Sequence, residues 1–144
     1  VALPDPKPGL VISYSYLWHP EYKKGREEGV KHRPCVIVIA VQVVAGRYLV
    51  TVAPVTHSAP ARPEDAVEIP AKTKQRLGLD PERSWVVVNE VNDFVWPGPD
   101  VRLLSQAAGR VDYGVLPPEL YRRIRDRLKA NAAAGQLKSI PRTD

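Results

Sequence analysis

The run Cys35-Val36-Ile37-Val38-Ile39-Ala40-Val41 contains no polar side chain and is rich in β-branched residues. So short a continuous apolar run, bounded by Pro34 and a glycine turn, is the mark of a strand buried on both faces. The neighbouring segments are arranged around it. Ala45-Gly46-Arg47 is a turn, and Tyr48-Leu49-Val50-Thr51-Val52-Ala53 pairs back across it as a hairpin. Pro54, which cannot donate to a ladder, is expected to stop that second strand. Residues 10–18 alternate loosely from Tyr14 onward and read as a strand with one wet face. Val67-Glu68-Ile69-Pro70 and residues 85–91 complete the set of expected strands.

Helical patterning is sparse. Residues 71–77 suit a brief helix with Gly78 as its C-cap. Pro117-Pro118-Glu119 opens a second, with proline tolerated in the first turn and Glu119 at the positive end. Leu116, Leu120, Ile124 and Leu128 recur every fourth residue, an apolar stripe for packing on a sheet. Several short strands followed by one amphipathic helix predict a mostly β (α+β) fold, a small barrel of antiparallel strands with the helix docked on it. The 15 prolines cluster at residues 4–8, 60–63 and 97–99, which reads as an arm and two loops. The expected organisation is a flexible proline-rich arm over 1–8, one domain over 9–133 and a polar tail over 134–144.

Composition narrows the classes. With one cysteine, Cys35, no intrachain disulfide can form and no cysteine-based zinc site can be assembled. The three histidines, His19, His32 and His57, show no metal-ligand spacing, and no phosphate-binding glycine motif occurs. Neither metal nor cofactor is expected. No apolar run approaches the roughly 18 residues of a membrane span, so a soluble, cytoplasmic protein without a membrane partner is the expectation. A net charge of +5 permits a polyanionic partner and suits a merely solubilising surface equally well.

Arg33 is the most informative charge. It lies between a charged loop, residues 21–31, and the apolar strand, so an anchored backbone would carry a rigid, permanently charged fork. That fork suits a phosphate, or an ion pair with Glu27 or Glu28. Lys31 and His32 stand beside it. Thr56, His57 and Ser58 come after the strand-ending proline, where hydroxyls bind phosphate oxygens or cap the turn. His57 and His19 are the candidate proton donors or acceptors. Asn89 and Asn92 either read base edges or satisfy a strand end, while Trp18, Trp85, Trp96, Tyr14, Tyr16 and Tyr22 either stack on unpaired bases or fill a core.

Several of these segments together resemble the PemK/MazF family of bacterial toxins. Pro8-Gly9-Leu10-Val11-Ile12 is similar to the family's first strand, and residues 28–38 to its acidic-loop, Arg-Pro, apolar-strand signature. Pro54-Val55-Thr56-His57-Ser58 resembles its Pro-x-Thr-polar turn, residues 89–96 its later strand, and residues 114–120 the start of its last helix. The resemblance spans residues 8–130 in the family's order. It implies a homodimeric SH3-like barrel that cuts single-stranded RNA without metal and is blocked by a cognate antitoxin. It also implies roles: Arg33 stabilises the phosphorane, Glu28 acts as base or holds Arg33, and Thr56 contacts phosphate or ribose. Lys31, His32, Ser58, Asn89 and Asn92 would line the RNA path. Two departures stand out: Asn89 where many members carry Asp, and Val87 where some carry Arg. They keep open the alternative of an inactive barrel that binds RNA or a protein segment.

Overall fold

The computed structural model describes residues 3–20, 32–104 and 109–142. Its described strands form one mostly antiparallel sheet: β1 (Leu10–Tyr14), β2 (Arg33–Val44), β3 (Arg47–Thr56), β4 (Ala66–Glu68), β5 (Trp85–Val87), β6 (Glu90–Trp96), β7 (Asp112–Val115) and β8 (Lys138–Pro141). Two helices, α1 (Ala71–Leu77) and α2 (Pro118–Ala133), accompany them. The strand order is β4-β5-β3-β2-β1-β7, with β6 branching from β3 and carrying β8 in parallel. Among the described residues this path does not close into a ring, so the expected barrel gives way to an open, forked sheet.

The fork arises at β3. One of its edges pairs with β2 from Arg47 to Pro54. The other edge is divided: residues 48–52 pair with β6, and Val55 and Thr56 pair with β5. Pro54 therefore does not stop the strand. It sits where this edge passes from β6 to β5, a position that tolerates a residue without an N–H. Likewise the expected single strand over 85–91 breaks in two at Val88 and Asn89. The Val88 N–H donates to the Asp65 carbonyl, its own carbonyl accepts from Asn131 of α2, and the Asn89 carbonyl accepts from Lys138, so the break leaves these backbone groups paired.

Apolar side chains fill both faces. On one, α2 lays Leu120, Ile124 and Leu128 against Val11, Val36, Val38, Ala53 and Val91, as the four-residue stripe predicts. On the other, Ile12, Tyr14, Cys35, Ile37, Val52, Phe94 and Trp96 form a second cluster, with Tyr14 stacked on Phe94 at 4.6 Å. β1 is buried along its whole length rather than wet on one face, because Val11 packs in the cluster beneath α2 while Leu10, Ile12 and Tyr14 pack in the other. Conversely β2 is buried only as far as Val38. Ile39 and Val41 are exposed, contrary to a strand covered throughout. α1 ends at Gly78, whose φ of 73° is the left-handed cap that glycine adopts without strain.

The segment expected to be a polar tail is structural. Ile140 of β8 is fully buried, and Arg142 is buried with its guanidinium 3.0 Å from Asp100. Arg142 also donates to the Ser15 carbonyl at 2.7 Å and to the Asn92 side-chain oxygen at 3.3 Å. Pattern reasoning misses this strand because only one of its side chains is buried. Removing one partner of a buried ion pair leaves an uncompensated charge, a loss of about 3–5 kcal/mol. Arg142→Ala should therefore lower the unfolding free energy by about that amount in denaturant titrations. An unchanged midpoint would show that the contacts of Arg142 add nothing to stability.

Candidate functional site: a cleft at the end of the third strand

Because β3 outruns β6 and is gripped by β5, its last residues are held rigidly at the sheet margin. Thr56 lies opposite Trp85, and Thr56-His57-Ser58 turn outward immediately after. The Thr56 hydroxyl accepts the Ser58 N–H at 3.2 Å, which tightens the turn. Arg33, at the start of β2, arrives from the other side of β3. His32, Arg33, Pro34, Val55, Thr56, His57, Leu79, Asp80 and Ser84 line a cleft of about 180 Å³. A second cleft, about 400 Å³, is lined by Trp18, Thr56, Ser58, Asp65, Val87 and Asn89 among others. Thr56 lines both, so the two clefts adjoin at that residue.

Arg33 is held without a carboxylate among the described residues. Its guanidinium lies over Trp18, 4.9 Å from the ring centroid, and Nη1 donates to the Val55 carbonyl at 3.3 Å. Its Nε is buried with no hydrogen-bond partner among the described residues. Stacking fixes the plane of the fork while leaving donor capacity, the state in which an arginine receives an anion. Trp18 is thus the support of Arg33.

His57 stands in a network that sequence spacing does not reveal. Its Nε2–H donates to Asp80 at 2.9 Å, and its Nδ1 is 3.4 Å from a Glu82 carboxylate oxygen. Lys74, buried on α1, donates to Asp80 at 3.0 Å, to Ser84 Oγ at 2.7 Å and to the Glu82 carbonyl. A buried ammonium with three acceptors is fully satisfied, and it pins the loop after α1 beneath His57. Burial pushes the Asp80 carboxyl upward, but hydrogen bonds from Lys74 and His57 outweigh it and hold the group below the ordinary aspartate value. His57, Asp80 and Glu82 also bring one potential metal-ligand atom each within 4.8 Å of one another. They are the described residues best placed to hold a cation, although Lys74 already supplies positive charge there.

The remaining sequence candidates divide. Ser58 and Asn89 line the wider cleft. His32 is exposed at the narrower one and shares a hydrogen bond from Nδ1 to Ser13 Oγ at 2.8 Å. Asn92 is a correction: it is fully buried, its amide donates to the Leu17 carbonyl and its oxygen accepts the Leu17 N–H, both at 2.9 Å. It splints two chain segments and presents nothing to RNA. Tyr14, Tyr16, Trp85 and Trp96 are likewise buried. His19 lines neither cleft; its N–H donates to Glu90 Oε1 at 3.1 Å. Glu28, Lys31 and Tyr22 lie outside the described residues.

No protein-family model matches this chain, and no curated protein does.

Glu90 carries no signal in the sequence, since its setting comes from residues more than 70 positions away. It accepts from Tyr16 Oη at 3.0 Å as well as from His19, yet burial leaves its carboxyl raised above the ordinary glutamate value despite these bonds. A carboxyl whose folded value is raised binds its proton more tightly in the native state. Stability is therefore fully present below the ordinary glutamate value and falls as pH rises through the folded one. Glu90→Gln, which keeps an acceptor, should flatten that fall. Thermal melts at a series of pH values will check it, and an unaltered pH dependence would remove Glu90 as its source.

Proposed function

We propose that this chain is the toxin of a type II toxin–antitoxin pair, a metal-independent endoribonuclease acting on single-stranded RNA. The observation that supports the reading is the placement of Arg33, Thr56, Ser58, His57 and Asn89, drawn from separate parts of the sequence, along two clefts that share Thr56. In this reading the RNA backbone crosses Thr56. The ribose 2′-oxygen attacks the adjacent phosphorus, the bond to the 5′-oxygen breaks, and a cyclic phosphate and a 5′-hydroxyl result. Arg33, preset by Trp18, stabilises the charge gathering on the phosphorane oxygens. The Thr56 hydroxyl contacts a phosphate oxygen or the reacting ribose. Glu28 takes the 2′ proton, and His57, oriented by Asp80, returns one to the leaving 5′-oxygen. An SH3-like curl of the sheet, a homodimer, a cytoplasmic setting and a cognate antitoxin belong to the same proposal.

A second reading has an observation of its own. Both ring nitrogens of His57 face carboxylates, Asp80 and Glu82, and Asn89 and Val87 replace the charged residues that some members of the resembling family carry. These features favour a cleft that binds RNA without cutting it.

Incubating the protein with mixed single-stranded RNA in EDTA separates the two. Discrete fragments ending in cyclic phosphate are expected, and Arg33→Ala should slow their formation roughly 100- to 1,000-fold, the effect of deleting one transition-state donor. Binding with no fragments would establish the second reading instead. Parental cleavage by Arg33→Ala would leave the chemistry without Arg33.

A further inference from the structure

The wider of the two clefts, about 400 Å³, includes Thr56 but not Arg33. Besides Trp18 and the Thr56–Ser58 turn, its polar lining consists of Asp65 and Asn89, and small apolar residues supply the rest of the wall. The β4–β5 ladder brings these two distant positions together. Ala66 pairs with Val87, and the Val88 N–H donates to the Asp65 carbonyl at 2.8 Å. The chain therefore enters β4 at Asp65 beside the point where it leaves β5 for Asn89.

The fold leaves both side chains with capacity to bond. The Asn89 backbone carbonyl accepts from Lys138, but its side-chain amide has no partner among the described residues. Asn92, by contrast, is fully occupied with Leu17. The Asp65 carboxylate, 18% accessible, receives a single side-chain bond among the described residues, from Arg62 Nη2 to Oδ1 at 3.3 Å. Arg62 is itself half-exposed and divided between Asp65 and Glu64. A carboxylate beside the path of a polyanion repels the phosphates, and that repulsion is offset where a base edge donates to it.

We propose that Asp65 and Asn89 form a receptor for guanine, so that the RNA is recognised by a guanine next to the phosphate held at Arg33 and Thr56. The inference rests on the reading of these clefts as an RNA path. Unpaired bases present their Watson–Crick edges to proteins, and an ionised carboxylate can only accept. Guanine alone offers two adjacent donors on that edge, N1–H and the N2 amino group, with the O6 acceptor beside them. The two Asp65 oxygens accept the donors, and the Asn89 amide N–H donates to O6. Adenine and cytosine set an acceptor nitrogen beside their amino group, and uracil flanks its one donor with two acceptors. Each would turn a lone pair toward the Asp65 carboxylate. An aspartate in place of Asn89 would leave O6 without a donor, so the amide at this position is part of the selection.

Recognition can be read apart from cleavage with short oligouridylates, 2′-fluorinated throughout so that no 2′-hydroxyl can attack, each carrying one central guanine, inosine, adenine or cytosine. Fluorescence anisotropy on the full chain should find the guanine strand bound roughly 10- to 100-fold more tightly than the adenine, cytosine or all-uracil strands, the discrimination of one bidentate contact. Inosine, which lacks only the N2 amino group, should lose most of that advantage. Asp65→Asn should abolish the difference between guanine and inosine, a result that a merely structural role for Asp65 would not produce. Where that variant folds poorly, the guanine–inosine comparison on the parental protein decides. Guanine preference without cleavage of natural RNA would sustain the receptor and end the nuclease reading. Cleavage whose cut sites show no guanine beside them would do the reverse. Equal binding of all the strands, or binding of none, would overturn the inference.

Discussion

The double engagement of β3 governs the molecule. A ten-residue strand is paired on one edge with β2 for most of its length, while its other edge serves β6 and then β5. Splitting one edge between two strands parts them at Ala53 and Pro54, and the ladder with β5 then runs to Thr56. Both clefts lie at that end of β3 and share Thr56. The side chains that line them inherit the rigidity of a strand held on both edges, which is the condition for a preorganised site. Beyond the strand's end, His57 is oriented by Asp80 and Glu82, and Ser58 by the Thr56 hydroxyl.

Three cations near the sheet show how position decides what a charge does. Lys74 and Arg142 are buried, and each is bonded to a carboxylate and to other oxygens. Such groups contribute less to net stability than their Coulomb attraction suggests, because desolvation offsets most of it, but they tolerate no partial removal. They fix segments: Lys74 the loop beneath His57, Arg142 the strand beside β6. Arg33 is of a different kind. An aromatic face and one carbonyl hold it, and no described carboxylate neutralises it. Its positive charge is therefore available to a ligand in a way that the other two are not.

How far the sequence discloses this depends on whether the determining contact is local. The hairpin turn at Gly46, the helix cap at Gly78 and the stripe of Leu120, Ile124 and Leu128 are visible because near neighbours set them. The extent of burial along β2 is not, since apolar composition says nothing of where the covering helix ends; Val38 and Ile39 differ chiefly in what lies above them. Asn89 and Asn92 are chemically identical and three positions apart, yet one lines a cleft and the other is sealed against Leu17. The partners of His57 are legible only in three dimensions, because Asp80 lies 23 residues away. β8 is obscured for the opposite reason: its composition is mostly polar, and a single isoleucine carries its packing.

The bonds of Arg142 have a temporal side as well. They tie residue 142 to Asn92 across 50 positions and to Ser15 across 127. A chain emerging from the ribosome forms the β2–β3 hairpin early, since that pairing is local. The strand that flanks β6 and the guanidinium that closes over Ser15 become available only after residue 142 is free of the exit tunnel. Completion of the fold therefore waits for residue 142, and the long sequence separation makes it slow by topology alone.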